Sequence, residues 1–140
     1  MGPIKEILDI ARRANVALVG VGTVEAERSR FVEFSALSAE EMRQIAELHG
    51  GVGEIGAHIY DMEGRTCASK YADRVIGLTL HELKQIPHVI GVAATESKAM
   101  PLYGALRGGY LHTLITDEAA ANGVLRLFEQ HFHGYSEEPS

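Results

Sequence analysis

Two side chains in this sequence carry charges out of keeping with their neighbours. Glu54 is a lone acid within Gly51-Val52-Gly53-Glu54-Ile55-Gly56-Ala57. Small residues on both sides predict a partly buried carboxylate lying close to backbone. A buried acid needs a partner, and its pKa rises unless a cation or N–H groups hold it. The competing reading is an acid at the mouth of a turn. Lys98 is the second such side chain. It follows the apolar run Val89 to Ala94 and lies three residues past Thr95, a candidate N-cap. A cation in a first helical turn opposes the helix dipole by roughly 0.3–1 kcal/mol. Lys98 is either a solvated surface lysine or a cation aimed at an anionic or hydroxylated ligand. Strand, turn and helix N-terminus together favour anions there.

Arg28 and Arg30 lie in the stretch Thr23 to Leu37, which reads as a loop of mixed charge. Either arginine can reach an anion at a strand's carboxyl end, or remain solvated. Gly20-Val21-Gly22 is half of a dinucleotide fingerprint, but the third glycine would fall at Glu25. The two glycines then serve a sharp turn. Serine, cysteine and metal constellations are absent: there is no G-x-S-x-G, C-x-x-C or H-E-x-x-H. His131 and His133 have no third ligand nearby. No catalytic residue, metal or cofactor is expected.

Positioning these groups requires alternating strands and helices. Helical spacing of Ile4, Ile7, Leu8, Ile10 and Ala11 predicts a helix over 4–13. Val16 to Val19 and Val89 to Ala94, apolar on both faces, predict buried parallel strands. Ser38 with Glu41 and Thr79 with Glu82 are capping boxes, opening helices to about Leu48 and Gln85. Ala57–Asp61 is expected to pair with Arg65–Ser69 across the turn Asp61-Met62-Glu63-Gly64. Asp73 to Leu78 and Leu111 to Ile115 read as further strands. Pro101 is expected to kink the helix that starts at Thr95, which Gly108-Gly109 ends. Thr116 is expected to cap the last helix. The pattern implies an α/β domain with a doubly wound, mostly parallel sheet and helices on both faces. It spans residues 1–130, with a polar tail over 131–140.

Composition narrows the function. The net charge is −6, from 13 Lys and Arg against 19 Asp and Glu, so this chain alone is a poor nucleic-acid binder. Cys67 is the single cysteine, which suits a reducing cytoplasm. Met1 to Asp9 has no apolar signal-peptide core, and no run approaches the ~20 residues of a membrane span.

The ordered set of motifs resembles a known family. It runs Val16-Ala17-Leu18-Val19-Gly20-Val21-Gly22, Gly51-Val52-Gly53-Glu54, Asp61-Met62-Glu63-Gly64-Arg65 and Arg74-Val75-Ile76-Gly77. It continues with Ile86-Pro87, Ile90-Gly91-Val92-Ala93, Ser97-Lys98-Ala99, Leu106-Arg107-Gly108-Gly109 and Leu114-Ile115-Thr116-Asp117-Glu118. This order is similar to the sugar-binding domain of SorC-type bacterial transcriptional regulators, in the wider DeoR-like group. The resemblance implies a fold like that of ribose-5-phosphate isomerase and glucosamine-6-phosphate deaminase, truncated to the carboxyl half of the effector domain. It implies no enzyme, but an oligomeric sensor of a phosphorylated sugar or similar small molecule. DNA would be met only through a helix-turn-helix absent from this chain. The family's pocket acid and lysine map onto Glu54 and Lys98, and an arginine after the first strand onto Arg28 or Arg30. Gly22 at that strand's end and Ala94, where the family has a glycine pair, complete the expected pocket. The alternatives are a sugar-phosphate isomerase or deaminase relative, with Glu54 as base, and a half-domain that only oligomerises.

Overall fold

The computed structural model describes residues 2–34, 36–67 and 71–133. Helix α1 (Gly2–Arg12) leads into β1 (Val16–Gly20), the short β2 (Gly22–Thr23) and the single turn α2 (Arg30–Glu33). Helix α3 (Ala39–His49) is followed by β3 (Gly53–Ile55), β4 (His58–Tyr60) and α4 (Leu80–Lys84). Then come β5 (His88–Val92), α5 (Ala99–Arg107), β6 (Thr113–Ile115) and α6 (Glu118–His133). Both expected capping boxes form, at Ser38 with Glu41 and at Thr79 with Glu82. Gly50 closes α3 in the left-handed conformation (φ 67°), satisfying carbonyls that the helix leaves open.

The strands make two three-stranded sheets. One is parallel, in the order β1-β5-β6, so the α/β class read from the sequence holds. The other is antiparallel, in the order β2-β3-β4. The main core lies between the inner face of the parallel sheet and helices α4, α5 and α6, around Val89, Leu102, Ala105 and Ala120, each at 0% exposure. Burying a side chain such as Leu102 contributes roughly 1.5–3 kcal/mol. Gly123 lets α6 close on α5, since a Cβ there would stand 2.6 Å from that of Ala99. A second core gathers Leu37, Met42, Ile45, Ile59, Cys67 and Tyr71.

Several expectations are corrected. The parallel strands are buried on one face only: Val16, Leu18, Val92 and Ile115 are 42–71% exposed on the other. Residues 73–78 form no strand; a 3-10 turn (Ala72–Arg74) runs into irregular chain. The expected pairing across the turn Asp61–Gly64, by contrast, is present: Gly64 N–H donates to Asp61 O, Asp61 N–H to Arg65 O and Cys67 N–H to Ile59 O, each at 2.9 Å, around a Tyr60–Thr66 bridge. The other edge of β4 pairs with β3, and Ser69 lies outside the described residues. Asp117, not Thr116, caps α6: its Oδ1 accepts the Ala120 N–H at 2.9 Å. Pro101 does not kink α5, because it sits in the first turn, where an N–H has no helical partner anyway. Residues 131–133 continue α6, and the remainder of the expected tail lies outside the described residues.

Candidate functional site

Strands β1 and β5 end side by side, with Gly20 beside Val92. Ligands in open parallel sheets sit beyond such carboxyl ends. A cleft of about 580 Å³ opens there, walled by Gly20 to Thr23, Val92 and Ala93, by Glu54 and Lys98, and by Arg28 to Phe31.

Glu54 reaches the cleft through the antiparallel sheet. Its strand partner is Gly22, and a Cβ on Gly22 would lie 2.0 Å from Glu54 Oε1. The second glycine of the G-x-G thus makes room for a carboxylate. Between β3 and β4 the loop Gly56-Ala57 has φ 56° and 68°, the signs of a type I′ hairpin turn. That turn aims the Ala57 N–H at Glu54 Oε2, 3.0 Å away. Burial pushes the Glu54 carboxyl above the usual range, while the Ala57 N–H and the charge of Lys98 partly offset it.

Lys98 is not in the first turn of an α-helix, contrary to the expectation from spacing. A 3-10 turn (Glu96–Lys98) intervenes, and α5 starts at Ala99. Thr95 makes no side-chain cap; its φ of 82° and ψ of 150° lie in a region that is nearly glycine-only. Lys98 therefore does not oppose an α-helix dipole, and it lines the cleft without one.

Of the residues singled out, Glu54, Lys98, Arg28, Arg30 and Gly22 all line this one cleft, whereas Ala94 lies outside its lining. Arg28 pairs with Glu25 at 3.4 Å, both well exposed. Among the described residues, neither Lys98 nor Arg30 has a carboxylate within salt-bridge distance. Three cations therefore face one carboxylate. Such a site suits a ligand with an anionic end and hydroxyls, the carboxylate accepting from the hydroxyls. Two buried hydroxyl residues in the lining were not singled out, Thr23 at 6% and Ser29 at 3% exposure. Their oxygens accept from the Glu25 and Phe31 N–H groups, a local role that carries no periodic signal.

Residues 2–126 match the family model of the sugar-binding domain. The transcriptional regulator LsrR of Escherichia coli is 34% identical over 124 residues, which is 88% of this chain and 39% of that protein. LsrR of Klebsiella pneumoniae is 31% identical over 125 residues, again 39% of its length. The chain thus spans about two fifths of the length of these curated relatives. Among solved structures, the sugar-binding domain of a transcriptional repressor from Vibrio fischeri superposes with a TM-score of 0.83 at 35% identity, over 92% of this chain and 51% of that one. The full-length sorbitol operon regulator SorC of Klebsiella pneumoniae gives 0.75 at 27% identity, over 89% and 39%. Among the described residues no helix is long and apolar enough to cross a membrane.

Proposed function

We propose, from the premise that this chain belongs to the sugar-binding domain family of transcriptional regulators, that it is the effector-binding part of such a regulator. Its ligand is a phosphorylated sugar or a similar polyol anion. The carrying observation is the convergence of Lys98, Arg28 and Arg30 on one cleft with Glu54. The cations take the anionic end and Glu54 accepts hydrogen bonds from hydroxyls. The rim arginines are largely in water, so binding by this chain alone is weak.

Binding rather than turnover is supported by the carboxylate count. Glu54 is the only acid among the lining residues, so an isomerase-like proton relay lacks a second carboxyl. The acidic net charge of −6 disfavours contact with the phosphate backbone, and operator DNA falls to a separate segment of the regulator. The lone cysteine suits a cytoplasmic setting. Apolar side chains left in water on the parallel sheet and on α1 favour homo-oligomers.

Calorimetry against matched sugar phosphates and free sugars tests the reading. Tighter binding of the phosphorylated member, lost in Lys98→Ala, supports it. Equal affinity for both members would remove the phosphate from the proposal.

A further inference from the structure

The Lys98 turn is tied to α6 at two points, and both ties begin on residues the cleft does not use. The Thr95 N–H donates to Asp117 Oδ2 at 3.0 Å, while Oδ1 of the same carboxylate accepts the Ala120 N–H at 2.9 Å. About two and a half turns further along α6, Arg126 Nη2 donates to Glu96 Oε1 at 2.6 Å. Within the loop, Lys98 N–H donates to Thr95 O at 3.0 Å, and the Thr95 and Ser97 hydroxyls lie 2.9 Å apart. Lys98 therefore hangs from Thr95, and Thr95 hangs from Asp117.

Thr95 needs such a tether. A β-branched residue in a glycine-only region relaxes unless its surroundings hold it. A helix cap needs one carboxylate oxygen; the second oxygen of Asp117 is spent on the strained residue of another element. The exposed pair Glu96–Arg126 adds little energy alone, but it fixes the same turn from the side.

We propose that Asp117 is a positioning residue for the cleft: through Thr95 it holds Lys98 at the ligand, so α6 and ligand binding are coupled. The inference rests on the ligand reading above only for its consequence; the tether is a property of the ligand-free chain.

The variants are Asp117→Asn, Arg126→Gln, Thr95→Gly and the double variant Asp117→Asn with Thr95→Gly. Amide hydrogen exchange is read in the ligand-free chain, and glucose 6-phosphate is titrated by calorimetry. An asparagine oxygen keeps one of the two bonds. We expect Asp117→Asn to speed exchange at the Thr95 and Lys98 amides, both of which donate hydrogen bonds in this turn, by roughly ten- to a hundredfold, the loss of one hydrogen bond to a charged group. Glycine adopts φ 82° freely, so Thr95→Gly in the double variant restores slow exchange at the Lys98 amide, whose partner is the residue-95 carbonyl, though not at residue 95 itself. Arg126→Gln, exposed and safe for folding, gives a smaller rise at the same residues. A simple helix cap would show none of this selectivity. Exchange confined to the first turn of α6, or no recovery in the double variant, overturns the proposal. If Asp117→Asn does not fold, an unchanged turn in Arg126→Gln overturns the coupling. If exchange behaves as expected and glucose 6-phosphate affinity falls with it, the coupling extends to binding. If exchange behaves so but wild type binds no sugar phosphate, the tether stands and the ligand reading fails.

Discussion

Gly22 and Glu54 face each other across β2 and β3, and the carboxylate occupies the space a Gly22 side chain would need. The contact is with the end of a flexible side chain, not with backbone. Gly22→Ala should therefore cost little stability, within about 1 kcal/mol, as Glu54 swings out. The same swing breaks the Ala57 N–H bond and removes the carboxylate from the cleft. Thermal melts and calorimetry of Gly22→Ala should show a nearly unchanged Tm with ligand affinity reduced as in Glu54→Ala. An unchanged affinity would mean the glycine serves only the turn.

Burial raises the Glu54 carboxyl, so its charged form costs stability in the folded state. The sign follows from proton counting. A folded pKa above the unfolded value means the native state holds more protons through that window. Wild type then loses stability as pH rises from the ordinary carboxylate value through the raised one. Glu54→Gln lacks that loss and its amide oxygen still accepts from Ala57. The variant should be more stable than wild type at neutral pH, and the gap should close on acidification below the ordinary glutamate range. Denaturant melts at pH 3 and pH 7 decide it; a gap that widens on acidification would show the carboxylate is held mainly by its partners.

Gly64 sits at φ 78° with a would-be Cβ 2.2 Å from Gly108 Cα, and its carbonyl accepts from the buried Tyr110 hydroxyl. Here the clash is with backbone. Gly64→Ala must shift either the turn or the end of α5, and should destabilise by roughly 3 kcal/mol or more, combining overpacking and a disfavoured φ. A loss under 1 kcal/mol in denaturant unfolding would mean that the turn moves freely.

Lys98→Ala removes the innermost cation of the cleft. It should cost about 1.5–3 kcal/mol of binding to a sugar phosphate, the range for a hydrogen bond to a charged group. Glu54→Gln should cost less, because its oxygen still accepts. The phosphorylated ligand should also weaken with added salt while its free sugar does not. A Lys98→Ala variant binding as wild type would leave Lys98 a surface lysine.

Glu54 was legible as an acid among glycines. Lys98 was singled out as a cation in a first helical turn; the 3-10 turn removes that premise, yet the side chain lines the same cleft. The caps at Ser38 and Thr79 and the stop at Gly50 were readable because each is local chemistry. The hairpin at Gly56-Ala57 was not, since alanine rarely takes φ 68° and here the Glu54 carboxylate holds it. Thr95 hid for the same kind of reason: Asp117, 22 residues on, sustains a conformation its side chain argues against. Val75 and Ile76 have strand-like side chains, but Val75 packs on the second core and Ile76 is 69% exposed, so neither finds a ladder. The open sheet face was invisible because periodicity reports apolar residues, not what covers them.

That face carries the last prediction. Strand β1 reads Val-Ala-Leu-Val-Gly, lies at an edge of its sheet, and has no charge or proline to guard it. Val16 is 56% and Leu18 71% exposed there, and Val92 and Ile115 continue the patch on β5 and β6. On α1, Ile4, Ile7 and Ile10 are 40–65% exposed. An uncharged edge beside an apolar face is the usual substrate for association, by strand pairing or face packing. Light scattering at high micromolar concentration should give a mass above the 15.2 kDa of one chain. Leu18→Lys should shift that mass toward the monomer with a Tm within a few degrees of wild type, because an exposed leucine contributes little to the fold and a central lysine guards an edge. A wild type that is monomeric throughout the titration rules association out. A wild-type oligomer that Leu18→Lys leaves intact moves the contact from β1 to another surface, such as the isoleucine stripe of α1.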